Sequence, residues 1–321
     1  MQRRCRRLSR FFIRRILLAL LQVFIIATIV FSIIHVMPGD PALLALGTER
    51  QQDPAAVAEM RHKLGIDRPL IEQYTTWLRN ISKFDFGNSL FNNEPIKNYL
   101  AQRLPRTLEL AIISTIIAVF IGIVSGIIAA LRRGSAIDVG VTTLTALGIS
   151  LPVYVLGTLF ILIFCINLKW LPASGFVKFS QDPAGHILRL ILPSLTLAFG
   201  MSASIARMTR SSLLETLNKE YIQTLRAKGL SKKAVIFKHA LRNALIPVIT
   251  IIGLQFGNLM GGTVLVEYLF NWPGLSTLLV EAVSHRDYPL AQGCIIAIAS
   301  LFIFSNMIVD LLYGFLDPRV R

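Results

Sequence analysis

Charge is scarce in this chain of 321 residues: Asp, Glu, Lys and Arg make up only 16% of it, against about 25% in an ordinary soluble domain. With 54% hydrophobic residues and a mean hydropathy of +0.60, that shortage excludes a solvated globule and leaves the membrane class. Cysteine is also scarce. Cys5, Cys165 and Cys294 stand far apart with no C-x-x-C, which excludes a disulfide framework and a zinc knuckle. The histidines (His35, His62, His186, His239, His285) never fall at i, i+3 or i, i+4, so no metal ligand set is expected. There is no G-x-x-x-x-G-K-[ST] phosphate loop, no H-E-x-x-H and no pair of aspartates within an apolar run. No catalytic residue and no bound cofactor are therefore expected.

Long apolar runs are what the chain has. A spanning helix needs roughly 20 mostly apolar residues to cross about 30 Å of hydrocarbon. Six runs qualify or nearly do: 16–36, 108–131, 139–168, 190–206, 244–266 and 290–312. The third holds Pro152 near its middle, which should bend it or mark the start of a shorter span. The expected fold class is all-α and integral to the membrane, with six transmembrane helices and both termini cytoplasmic.

The basic residues test that topology, because Lys and Arg collect in short cytoplasmic loops. Of the 33, seven lie in 1–15, two in 132–138, nine in 207–243 and two in 313–321, all on the inner side if the N terminus is inside. The net charge of +15 is thus divided among loops and forms no continuous basic face, so no nucleic acid partner is expected. Nor is a cleaved signal peptide expected, and the first run should stay as the first membrane helix. The first apolar run is longer than an h-region and no small-x-small site follows it.

Residues 37–107 form a small helical cap on the outer side. Asp53-Pro54 is a helix start, and Val57, Met60 and Leu64 give an apolar face that stops at Gly65. In a second helix Leu70, Tyr74, Trp77, Leu78 and Ile81 recur at three- and four-residue spacing. These helices are expected to pack on the bundle or on each other, and to offer a docking surface to an outside partner.

The inner segment 207–243 is too long for a simple connection. Leu213, Leu214, Leu217, Tyr221 and Leu225 keep helical spacing from Arg210 to Lys228; Gly229 is a natural stop and Ser231 a candidate N-cap. The expectation is helix, glycine turn, helix. Here Glu220-Tyr221-Ile222, Arg226-Ala227-Lys228-Gly229-Leu230, His239-Ala240-Leu241-Arg242-Asn243-Ala244 and Pro247 resemble the coupling (EAA) loop of ABC importer permeases. The likeness is to the B-type permease branch of the oligopeptide, dipeptide and nickel uptake family. It extends along the chain through Met37-Pro38-Gly39-Asp40-Pro41, Leu64-Gly65-Ile66-Asp67-Arg68-Pro69-Leu70, Asp85-Phe86-Gly87-Asn88-Ser89, Trp170-Leu171-Pro172-Ala173-Ser174-Gly175, Trp272-Pro273-Gly274-Leu275, Arg286-Asp287-Tyr288-Pro289 and Asp317-Pro318-Arg319. It departs from the general motif where Gln223, Thr224 and Leu225 replace Glu-Ala-Ala, and where Arg242 replaces a proline.

The resemblance implies a type I importer permease. It would form half of a translocation pathway for peptides, or for nickel or a metal chelate, across a bacterial-type inner membrane. Its layout would be a cytoplasmic basic N terminus (1–15), a first span (16–36), a periplasmic cap (37–107), a membrane core (108–312) containing the coupling loop (207–243), and a cytoplasmic tail (313–321). The implied partners are a second permease, two cytoplasmic ABC ATPases, a periplasmic or lipid-anchored binding protein, and membrane lipid. Glu220, Tyr221, Leu225, Arg226, Ala227, Lys228, Gly229 and Leu230 would meet an ATPase. In the fifth span Gly253, Gly257 and Gly261 repeat every four residues, a stripe that brings helices close, while Gln255, Asn258 and Thr263 lie off it and are candidates for lining the pathway. Asp310, the one acid read as deep in a span, is expected to pair with Arg319 and Arg321. The alternative from another class is a proton-coupled secondary transporter, which needs several buried titratable groups and often inverted repeats.

Overall fold

In the low-dielectric core of a bilayer every backbone N–H and C=O must find a partner within its own segment, and a helix provides that. The computed structural model of the protein describes residues 2–36, 42, 43, 46 and 53–316, and the apolar runs are helices in it. Among the described residues five are long and apolar enough to cross a membrane: Ile13–Ile33 within α1 (Gln2–Val36), α4 (Ile96–Leu131), α7 (Pro183–Leu217), Lys232–Leu259 leading into α9 (Leu241–Leu269), and Tyr288–Leu311 within α11 (Tyr288–Leu316). A sixth stretch is long and apolar enough only as a pair, α5 (Ala136–Ser150) and α6 (Val153–Phe160), the latter continuing as a π-helix over Ile161–Asn167; with a bend of 111° between them the pair has the form of a broken span or a re-entrant loop. The break falls at Pro152, extended backbone at the N-cap of α6. Motif residues 37–41 and 317–319 lie outside the described residues.

Capping residues set the ends. Asp53 accepts from the Ala55 N–H at 3.0 Å to start α2 (Pro54–Leu64). Gly65, at φ +68°, closes it in a left-handed turn that no Cβ obstructs. Asp182 caps α7 by accepting from Gly185 N–H at 2.9 Å, with Pro183 at its first position, where a missing N–H costs nothing.

The chain divides into two compact units, Met1–Arg15 with Leu108–Trp272 and Phe304–Arg321, and Ile16–Thr107 with Pro273–Ile303. In the second, α10 (Leu275–Ser284) buries Leu275, Leu278 and Ala282 against Ile96, Leu100, Leu290, Ala291 and Cys294. Its first N–H, that of Leu275, is satisfied by Thr107 Oγ1 at 2.8 Å. Asp287, buried at the start of α11, accepts from Leu290 N–H and Leu90 N–H at 3.2 Å and from the Ser89 hydroxyl. One carboxylate thus caps a helix and fastens a distant loop. In this unit α3 (Leu70–Ser82) packs on α1: the rings of Tyr74 and Trp77 stand 5.2 and 5.4 Å from that of Phe31. The cap's second helix does rest on the first span.

Candidate functional site

The inner segment 207–243 departs from its sequence pattern in one respect. Helix α7 runs without interruption to Leu217, and the chain then breaks at Asn218 and Lys219 before α8 (Glu220–Ala227). The apolar spacing from Leu213 to Leu225 suits a single helix, but the break rotates α8 so that Ile222, not Tyr221, is buried. Lys219 sits in extended backbone at φ −73°, ψ 146°, the geometry of an N-cap.

Helix α8 ends in a full Schellman turn. Leu230 N–H donates to Leu225 O at 3.3 Å and Gly229 N–H to Arg226 O at 2.9 Å, with Gly229 at φ +78°. Leu225 and Leu230, the residues whose apolar contact accompanies this turn, both pack on a buried cluster of Ala130, Leu213, Ile222, Val235, Ala240 and Ala244. Ser231 then accepts from Ala234 N–H at 3.3 Å. After it the chain winds as a π-helix over Val235–Ala240, a geometry that concentrates at functional positions.

The two faces of α8 are chemically distinct. Inward are Ile222, Leu225 and Leu230. Outward and exposed are Glu220, Tyr221, Gln223, Thr224, Arg226, Ala227, Lys228 and Gly229. The Tyr221 hydroxyl accepts from Asn243 Nδ2 at 2.9 Å, which ties the outer face of α8 to the start of α9. Lys232, Lys233 and Lys238 are exposed nearby in sequence, as is Phe237. Phe237 was missed from the sequence because its neighbours, Val235 and Ile236, are the buried ones; the π-helix is what turns it out.

The floor of this surface is tied down one turn below Leu213. Arg210 of α7 forms an ion pair with Asp138 of α5, and the same carboxylate accepts from Gly134 N–H at 3.0 Å. In α9, Gly253 and Gly257 lie so close to α11 that a Cβ on either would collide with Val309 or Asn306. The stripe is a helix contact inside this chain; the surroundings of Gly261 lie outside the described residues. Asn258 Nδ2 donates to Gln255 Oε1 at 3.5 Å, and Thr263 is buried.

One acid differs from expectation. Asp310 pairs with Arg15 of α1, at 2.6 Å, while Arg319 and Arg321 lie outside the described residues. Glu267 is fully buried in α9, one residue past the edge of the apolar run and beyond the spanning stretch Lys232–Leu259. The scattered histidines also hide a site. His186 is buried between Phe176, Phe179 and Trp272, with Nδ1 2.7 Å from Val177 O and Nε2 2.8 Å from Glu109 Oε1. Among the described residues no group of three or more His, Cys, Asp or Glu is placed to hold a metal ion.

Residues 122–321 match the family described as "Binding-protein-dependent transport system inner membrane component", and residues 8–111 match the corresponding N-terminal family. The chain is 41% identical to a di/tripeptide transport system permease of Pseudomonas aeruginosa, over 97% of this chain and 98% of that one. It is 40% identical to a putative peptide transport system permease of Brucella abortus (96% and 98%) and 42% identical to the glutathione transport system permease of Escherichia coli K12 (96% and 98%). A crystal structure of an amino acid ABC transporter with histidines is similar at a TM-score of 0.48 and 18% identity, covering 69% of this chain and 94% of that one.

Proposed function

The chain belongs to the family of binding-protein-dependent transport system inner membrane components, and on that premise we propose that residues 220–230 are the surface through which a cytoplasmic ATPase drives its transport cycle. As an importer permease it is a multi-pass protein of the inner membrane. Hydrolysis of ATP is assigned to partner chains, and half of the translocation pathway to this one. The second half comes from a second permease, and cargo is delivered by a binding protein on the periplasmic side, where the cap 37–107 stands. Short peptides are the proposed cargo class, in keeping with the names of the three relatives; a nickel chelate has no counterpart among those names. Neither does a proton-coupled carrier.

The observation that carries this reading is the division of α8 into two faces. Ile222, Leu225 and Leu230 anchor it to the chain's own core, so the helix moves as one body with α7. Its outer face offers Tyr221, Arg226 and Lys228, a ring and two cations able to meet an apolar cleft and acidic or carbonyl groups on an ATPase. When two ATPases close on ATP, the displacement of α8 passes into α7 and, through Arg210 and Asp138, into α5. The two permeases then rock about their interface between inward and outward states. Gln255 and Asn258 are proposed to face the pathway; Thr263, fully buried within the chain, is not.

The test is copurification of tagged protein with its membrane partners, for the natural chain and for Arg226→Glu with Lys228→Glu. Both side chains are exposed, so the fold is spared. Loss of the ATPases and of ATP-driven peptide uptake, with the permease pair intact, is the expected result. ATPases retained and uptake unchanged would remove α8 from the interface.

A further inference from the structure

Helix α3 has one apolar arc, formed by Leu70, Ile71, Tyr74, Trp77, Leu78 and Ile81, opposite Glu72, Thr76, Arg79, Asn80 and Lys83. A helix with this pattern in a water-facing cap buries its arc in a core. Here α1 covers only the side bearing Tyr74 and Trp77, and no residue of α3 is buried. Ile71 is 78% exposed and Leu70 60%.

The depth of the contact bears on what covers the rest. The Tyr74 hydroxyl meets Thr28 Oγ1 at 2.7 Å and the rings of Tyr74 and Trp77 pack on Phe31, both inside the apolar stretch Ile13–Ile33. At a rise of about 1.5 Å per residue, Thr28 lies about 8 Å inside the end of that stretch. Interfacial helices sink their apolar face about 5–10 Å into the headgroup and acyl boundary, and Trp and Tyr favour that level. A surface at that depth meets acyl chains unless another membrane-embedded chain covers it.

The depth of the first turn of α3 is fixed as well. Gln73 Nε2 donates to Ile66 O and Arg68 O at 3.1 and 2.8 Å, while Gln73 Oε1 lies 3.1 Å from His35 Nε2 near the end of α1. The turn before α3 is thereby pinned to the helix that spans.

We propose that α3 is an interfacial helix, with Leu70 and Ile71 against the acyl chains of the leaflet reached by the C-terminal end of α1. The inference rests on α1 being a span, and on no reading of α8 or of cargo. Its occupant is phospholipid. The cap is thereby anchored in the bilayer by a second apolar surface besides the spans.

The test uses the whole transporter in phosphatidylethanolamine and phosphatidylglycerol vesicles, with bimane at Ile71→Cys, Glu72→Cys or Ile29→Cys, after subtraction of the signal from the chain carrying only its own cysteines. Ile71 is exposed, so the change opens no cavity. Doxyl-labelled lipid should quench bimane at position 71 at least twofold more strongly than aqueous iodide, and the order should reverse at 72. Stronger iodide quenching at 71 would overturn the proposal by showing water there. Protection from both quenchers would overturn it by showing a protein cover, and lipid quenching at 72 as strong as at 71 would replace an interfacial helix with an immersed one. Position 29, on the exposed side of α1, reports the span itself: lipid quenching there and not at 71 places the failure on α3 alone.

Discussion

Arg210 donates through Nε and Nη2 to the two carboxylate oxygens of Asp138, at 2.6 and 2.9 Å, across 72 positions of sequence. The pairing is bidentate, and the planar guanidinium matches the carboxylate in a way an ammonium does not. It joins the helix that leads to α8 with the helix that opens the broken pair.

Asp138→Asn keeps the shape of the side chain and removes its charge. The expected loss is about 2 kcal/mol, the scale of a hydrogen bond to a charged group; Arg210 is 30% exposed, which keeps the loss below that of a fully buried pair. Arg210→Lys should lose nearly as much. The midpoint of thermal unfolding of the purified protein in detergent checks both, and wild-type midpoints would remove the pair from the account of stability.

Glycines at helix contacts should rank by what a methyl group would strike. At Gly126 a Cβ meets the Ala206 carbonyl at 2.6 Å and Thr209 Cβ at 2.7 Å. Backbone cannot step aside, so Gly126→Ala should cost about 1–3 kcal/mol. At Gly262 nothing lies within 4 Å, and Gly262→Ala in the same assay should be neutral or slightly stabilising through its better helix propensity. An equal effect at the two positions would contradict the contact.

Both ring nitrogens of His186 face oxygen acceptors, Val177 O and Glu109 Oε1, and the ring is nearly sealed by aromatic neighbours. His186→Leu removes the ring that stands between Val177 O and Glu109 Oε1 and should lower stability by about 2 kcal/mol. Glu109→Gln leaves an oxygen able to accept in the same place and should cost less than about 1 kcal/mol. Unfolding midpoints in that order are the check; a larger loss from Glu109→Gln would mean that the charge, not the acceptor, holds the ring.

The sequence made some of this visible and hid the rest for physical reasons. Apolar runs mark the spans because a bilayer permits little else, and Asp53, Gly65, Gly229 and Ser231 mark turns because caps are local chemistry. The break at Asn218 and Lys219 was hidden because Leu217, Tyr221 and Leu225 keep helical spacing across it. Only packing, which selects Ile222, reveals the rotation. Arg15 with Asp310, Arg210 with Asp138 and Glu109 with His186 join residues that no spacing rule connects, since each pair is brought together by helices laid side by side. The burial of Glu267 is likewise invisible to a hydropathy pattern, because it lies just past an apolar run whose helix continues beyond it.

The elbow at Pro152 bears on how the chain enters the membrane. Proline has no N–H to give the Gly148 carbonyl four residues back, and that carbonyl faces Gly200 of α7, where an added Cβ would stand 3.3 Å away. The same stretch of α7 presses Phe199 and Ala203 against Gly148. A carbonyl left facing lipid costs several kcal/mol, and α7, later in the chain, is the helix that lies over this one. The elbow therefore completes its packing only with a helix that comes after it in the chain, and the bend belongs to α5, α6 and α7 as a set of three.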